Sequence, residues 1–265
     1  MKILKTTLLA AAIFATQAQA EVSPFDITLS FSGGLSDTQQ EIFYEAESFW
    51  ESVIIGYDGS VSFPTGLRIA ASGEDIDGVG KILGSAGPSG GYQNRTIDNN
   101  LFYATSGSMR FDTADLDSLE TKGSLLSVII HEMAHVIGFG TLWGPEYNNL
   151  YTDGTGQYTG AYAVAAYQEE FAPLASFIPV ELDGGEGTED AHWDENWGGP
   201  QSDLMTGFFE GSITYSKTTL ASFRDLGYLV LNESSNVEEN PSDVPIAFIG
   251  LFSAIGLLST RRKKF

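Results

Sequence analysis

The sequence predicts an α+β fold, a twisted sheet with two long helices followed by a lower, mostly irregular and helical subdomain. Three observations carry this. Apolar residues alternate over a short segment near residue 27, they recur at helical spacing in two later segments, and the rest of the chain is rich in Gly, Ser and Asp.

Asp26 to Phe31 reads as the first strand, because Ile27, Leu29 and Phe31 fall on one face. Gly33-Gly34 closes it, and Ser36-Asp37 caps the element that follows. From Thr38 to Ile55, the spacing of Ile42, Phe43, Ala46, Phe49, Trp50 and Val53 predicts an amphipathic helix with acidic residues outward. Residues 56–111 read as strands and long loops, with short apolar runs at Leu67 to Ala71, Gly80 to Leu83 and Leu101 to Ala104. A second helix begins near Ser124 and runs through Leu125, Leu126, Val128, Ile129 and Ile130 into His131, apolar enough to be buried at the centre of the domain. Ala161 to Phe171 and Lys217 to Gly227 read as further helices, and Tyr228 to Leu231 as a terminal apolar segment.

Both ends of the 265-residue chain stand apart from this body. Lys2 and Lys5, the apolar stretch Leu8 to Ala15 and the closing Ala18-Gln19-Ala20 form the three parts of a secretory signal peptide over residues 1–20. The alternative, an uncleaved anchor, needs roughly 20 apolar residues, and this run is shorter. The folded body is expected over residues 21–231, and residues 232–243 have an acidic linker composition. The chain contains no cysteine, which excludes disulfides, thiolate zinc sites and cysteine nucleophiles. Between residues 21 and 240 only seven basic residues face 34 acidic ones. A body so acidic repels nucleic acid and anionic lipid.

His131-Glu132-Met133-Ala134-His135 fits the H-E-x-x-H pattern. A helix returns to the same face after about four residues, so both imidazoles can reach one ion. Glu132 sits about 100° further round, within reach of a water on that ion but outside its ligand shell. That is the position of a general base. Gly138, three residues beyond His135, is where the helix must stop and turn sharply, which glycine does at little steric cost. A catalytic zinc needs three protein ligands and one open position. A compact motif would place the third histidine at position 141, where this chain has Thr141. Only one histidine remains, His192.

The blocks His131 to Phe139, Val180-Glu181, Gly184 to Thr188, His192-Trp193, Asp203 to Gly207 and Leu220 to Tyr228 together resemble the leishmanolysin-like metzincin zinc peptidases. The resemblance covers residues 100 to 230 strongly and is weaker over the first strand and helix. It implies a metzincin-like fold, a single catalytic Zn2+ on His131, His135 and His192, and Met205 in a hydrophobic turn beneath the metal. Two features depart from the family pattern. Leishmanolysin is disulfide-rich and held latent by a pro-segment, whereas here only Glu21 to Phe25 separate the signal from the first strand and no cysteine switch is available. Some metzincins add a tyrosine ligand two residues after the turn methionine, where this chain has Gly207.

Beyond the linker, Val244 to Thr260 is 17 residues without a charge, followed by Arg261-Arg262-Lys263-Lys264. Residues 244–265 thus read either as a plain tail anchor or as a sorting signal resembling the exosortase-processed PEP-CTERM type, with Val244-Pro245 in place of Pro-Glu-Pro. The second reading brings a processing enzyme that acts on the tail as a partner. In both the catalytic body lies outside the cytoplasmic membrane, at the cell surface or beyond it, and touches the membrane only through this span.

Trp143, Trp193 and Trp197 read either as subsite linings or as buried packing. The acidic stretches Glu74 to Asp77 and Asp183 to Glu189 contain carboxylates suited to structural Ca2+, but neither has EF-hand spacing and no other sequence feature supports calcium. The expected activity is hydrolysis of internal peptide bonds in protein or peptide substrates. The alternative is an inactive surface adhesin or binding module that keeps the fold; the intact Glu132 and open fourth position argue against it. A structural zinc site would need a fourth ligand, and the chain offers no further histidine or cysteine.

Overall fold

The computed structural model describes residues 24–58, 66–95, 100–185, 187–209, 214–231 and 263–264. Residues 1–20 and 232–243, read above as a signal peptide and a linker, and the apolar run Val244 to Thr260 lie outside the described residues. Among the described residues no helix is long and apolar enough to cross a membrane.

The upper half is built on a four-stranded mixed sheet of order β1-β3-β5-β4. Strand β1 (Ile27–Phe31) leads through the Ser36 capping box, completed by Gln39, into α1 (Asp37–Val53). Strand β2 (Ile54–Tyr57) follows at once, and β3 (Leu67–Glu74) pairs parallel with both β1 and β5 (Asn100–Asp112). Leu67, Ile69 and Ala71 fill one face of β3 in the alternation expected of a half-buried strand. Strand β4 (Gly84–Arg95) runs antiparallel to β5 and forms the outer edge. Both are far longer than the apolar runs at 80–83 and 101–104 suggest, because glycines stand where side chains would have shown alternation. Gly107 of β5, for example, lies so close to α3 that an added Cβ would sit 2.3 Å from Val136 Cγ1.

The run Gly80 to Leu83 is not a strand but the end of a turn gripped from below. Asp112 accepts from the N–H groups of Asp77 and Gly78, and Asp115 from that of Gly80. Asp112 also caps α2 (Thr113–Thr121), a helix with no periodic apolar face to announce it. Helix α3 (Leu125–Ile137) then crosses the domain, and every residue from Val128 to Ile137 is buried. Its β-branched residues are poor helix formers, so packing on all sides, against α1, β4 and β5, holds it. Trp50 of α1 donates its indole N–H to Ile130 O, which locks the two long helices together.

Below Gly138 the elements are short: β6 (Gln157–Tyr158) paired with β7 (Ile178–Pro179), α4 (Ala161–Glu170), β8 (Phe208–Phe209) and α5 (Lys217–Asp225). Strand β9 (Tyr228–Val230) returns to the upper half by pairing with β2, and β10 (Lys263–Lys264) pairs with β8. Asp225 at the end of α5 accepts from the N–H groups of Tyr162 and Ala163, fastening the first turn of α4 to its neighbour. An aromatic stack forms the core here, with Trp193 between Trp143 and Trp197 at centroid distances of 5.2 and 5.9 Å. All three indoles are fully buried, so they pack the interior and do not line a subsite.

Candidate metal centre

His131 and His135 project from one face of α3, as the four-residue spacing requires, and both are buried. The helix ends at Gly138, whose φ of 140° turns the chain back on itself. A side chain there would be strained by the backbone and would press on Leu142 Cδ1 at 3.0 Å. The turn carries Phe139 O to 2.9 Å from His135 Nδ1. Thr141, at the position of a compact motif's third histidine, donates its hydroxyl to His135 O instead.

His192 arrives from the irregular half, held by its backbone. Its carbonyl accepts from Glu181 N–H, and the next residue, Trp193, donates its N–H to Met205 O. The glycine-rich turn before it brings Thr188 O to 2.9 Å from His192 Nδ1. Leu204 O lies 2.6 Å from His131 Nδ1. Each imidazole therefore donates Nδ1–H to a main-chain carbonyl, which fixes the tautomer and leaves Nε2 as the acceptor. The three Nε2 atoms converge at 3.1, 3.1 and 3.0 Å from one another. Three ring nitrogens that face each other without a proton among them suit a cation. A tetrahedral zinc with Zn–N of about 2.0–2.1 Å would hold such nitrogens about 3.3 Å apart, within a small ring adjustment of these distances. This is the sole group of three His or acidic side chains among the described residues able to hold a metal ion. In the acidic stretch Glu74 to Asp77, Asp77 spends a carboxylate oxygen on Ile82 N–H.

Electrostatics agree with neutral rings. Burial, followed by the neighbouring His135 and His192, pushes His131 well below the ordinary imidazole range, and burial pushes His135 down to about 4. Glu132 is buried beside them, and burial alone raises its carboxyl to about 8 in the absence of a cation. A metal charge on the three Nε2 atoms would pull it back down. Its side chain lies over Gly84, the first residue of β4, where an added Cβ would stand 2.8 Å from Glu132 Oε1.

Met205 is fully buried in the turn that supplies Leu204 O to His131. At Gly207 an added Cβ would come within 2.5 Å of Thr188 Cγ2, so a side chain at this offset would have to displace the Thr188 methyl. The structure thus brings together the three histidines singled out in the sequence, with Glu132 and Gly138 on or at the end of the same helix and Met205 in the turn that meets His131. Sequence reasoning missed Gly84 and the three orienting carbonyls, which act through backbone and leave no residue-type signature.

The family model of leishmanolysin matches residues 102–238, which includes all three histidines, Glu132 and the Met205 turn. No curated protein matches the chain. More than half of the chain lies in the matched region, and its geometry supplies a three-histidine zinc site within a mixed α+β fold. The chain belongs to the leishmanolysin family of zinc metalloproteases.

Proposed function

We propose that this zinc protease is an exported endopeptidase in which His131, His135 and His192 bind the metal through Nε2 and Glu132 is the general base. The observation that carries the reading is the set of three Nδ1–H donations to Leu204, Phe139 and Thr188, which aims three acceptor nitrogens at one point. Zinc, when bound, polarises the scissile carbonyl and lowers the pKa of a water to about 7. Glu132 Oε1 takes a proton from the attacking water as its oxygen bonds to the carbonyl carbon. The same carboxyl then gives that proton to the departing amine nitrogen as the C–N bond breaks. Burial of Glu132 keeps bulk water from competing for the proton.

The outer strand β4 supports an endopeptidase reading. Its Gly84 end touches Glu132, and it is the last strand in the order of the sheet, so an extended peptide can add beside its Gly84 end as a further strand and run past the base. Export rests on the three-part signal over residues 1–20, and the body over residues 21–231 would be delivered to the cell surface, with the segment from Val244 as anchor or sorting signal.

The test is a pair of variants. Glu132→Ala is expected to retain one zinc per chain and lose proteolysis of casein by at least about 100-fold, whereas His192→Ala loses both metal and activity. Full activity in Glu132→Ala would disprove the role of the base. For export, protein recovered outside the cell should begin at Glu21; retention in the cytosol with Met1 intact would end that reading.

A further inference from the structure

Asp203 is a buried carboxylate that the proposed mechanism does not use. It is 2 % exposed, and neither of the two ion pairs found among the described residues involves it. Every contact it makes is with a donor: Oδ1 accepts from Met205 N–H at 3.1 Å and from the Thr219 hydroxyl at 2.6 Å, and Oδ2 accepts from Ser216 N–H at 3.0 Å. The direction of the Thr219 bond is fixed, because both lone pairs of the Thr219 oxygen are taken, by the Trp193 indole N–H at 2.9 Å and the Ser216 hydroxyl at 3.2 Å. Burial raises this carboxyl above the ordinary aspartate range and the donors from Thr219, Ser216 and Met205 act against it; none of these contacts offers an acceptor for a carboxyl proton, so the geometry suits the anion. Its place at the first turn of α5, with Ser216 as N-cap, gives that charge the positive end of a helix.

What lies on the other side of Met205 N–H matters more. This N–H and the Leu204 carbonyl belong to one peptide group, and a trans peptide directs its N–H and C=O to opposite sides. One end meets Asp203, and the other accepts from His131 Nδ1 at 2.6 Å, the shortest of the three histidine bonds. Hydrogen bonds in series polarise one another, most strongly in a dry interior.

We infer that Asp203 is a positioning residue for the metal, acting on His131 through the Leu204–Met205 peptide and on the segment of His192 through Thr219 and Trp193. The anion strengthens the amide as an acceptor, which raises the electron density of the His131 ring and holds its angle. Its second arm ties Thr219 to the residue after His192, so one carboxylate backs two of the three imidazoles from different elements. Met205, between them, donates its N–H to Asp203 and accepts Trp193 N–H at its carbonyl. An asparagine cannot replace it, because its NH2 would face the N–H of Ser216 or that of Met205, donor against donor.

The inference rests on the zinc reading, and the experiment separates the two. Zinc affinity is measured by chelator competition on the whole chain for wild type, Asp203→Asn, Thr219→Val and Thr219→Ser, beside the melting temperature of each zinc-free protein and the His131 Nδ1–H proton resonance of each loaded one. Asp203→Asn is expected to weaken zinc binding by about 10- to 100-fold and to shift the His131 proton upfield. Thr219→Val should move both in the same direction by less, and Thr219→Ser, which keeps the hydroxyl, should match wild type. If wild type binds zinc and Asp203→Asn and Thr219→Val bind it equally well with an unmoved His131 proton, Asp203 is only a helix cap and the inference is wrong, whatever the melting temperatures do. Should Asp203→Asn fail to fold, wild-type zinc affinity in Thr219→Val is enough to reject it. A wild-type chain that takes up no zinc overturns the zinc reading and the inference with it.

Discussion

The two halves of the metal centre are built in opposite ways. His131 and His135 stand on α3, where helix periodicity alone puts them on one face and packing on every side keeps the helix still. His192 stands on a chain with almost no regular structure, fixed by the bond of Glu181 N–H to its carbonyl, by that of Trp193 N–H to Met205 O and by its own ring on Thr188 O. Precision in the upper half comes from a repeating element, whereas in the lower half it comes from particular contacts between residues distant in sequence. A disturbance above should therefore alter the chemistry and leave the metal in place, and a disturbance below should loosen the metal first.

The largest effect is expected at Glu132 in the zinc-free protein. Burial raises its carboxyl from 4.5 to about 8, so as pH rises through this window the folded chain keeps a proton that the unfolded chain has released, and stability is lost. Glu132→Gln abolishes that titration. In chelator, the variant should be more stable than wild type at pH 9 by about 2–4 kcal/mol, and the two should converge near pH 5. Melting curves at the two pH values check this; a constant difference would show that burial is not what sets the Glu132 carboxyl. The imidazoles act with the opposite sign. His135 falls from 6.5 to about 4, so both zinc-free proteins should lose stability as pH drops across that interval.

A smaller effect is expected at Gly84. A methyl at this position meets the mobile end of Glu132, not backbone, so the side chain shifts while the fold stays. Gly84→Ala should lower kcat by about 100-fold, the usual consequence of misplacing a reacting group by about 1 Å, with zinc content unchanged. Steady-state kinetics beside metal analysis decide it, and loss of zinc would contradict the division between the halves. The smallest effect belongs to the lower half. In Gly207→Ala the new methyl crowds Thr188 Cγ2, and with it the carbonyl that orients His192, so zinc should bind about 10-fold more weakly. Chelator competition reads this directly; unchanged affinity would mean that the turn gives way without moving His192.

The same division explains what the sequence could tell. In the upper half Ser36 announced α1, and H-E-x-x-H announced both the face of α3 and two of the three histidines, because period and capping are local signals. The long strands β4 and β5 were only partly legible, since Gly84, Gly91 and Gly107 replace alternation with close approach of a helix side chain or the neighbouring strand. The apolar run at Gly80 to Leu83 misled for a different reason: Asp112 and Asp115, some 35 residues on, bind its preceding turn and override the local preference. In the lower half His192 was found because no other histidine was left and because the family resemblance places one there, not from any local pattern. The contacts that hold it join main-chain atoms that any residue would supply, and no composition or spacing reveals them.

The carbonyls of Leu204, Phe139 and Thr188 give the metal site a particular kind of tolerance. Each ring is aimed by a main-chain oxygen, so the information that orients the imidazoles resides in the path of the chain and not in the identity of the residue that carries the oxygen. The side chains at 139, 188 and 204 are thereby left to answer to packing alone. Over time such a site can exchange the residues of its supporting shell one by one while the geometry at the metal stays constant, provided the turns keep their shape.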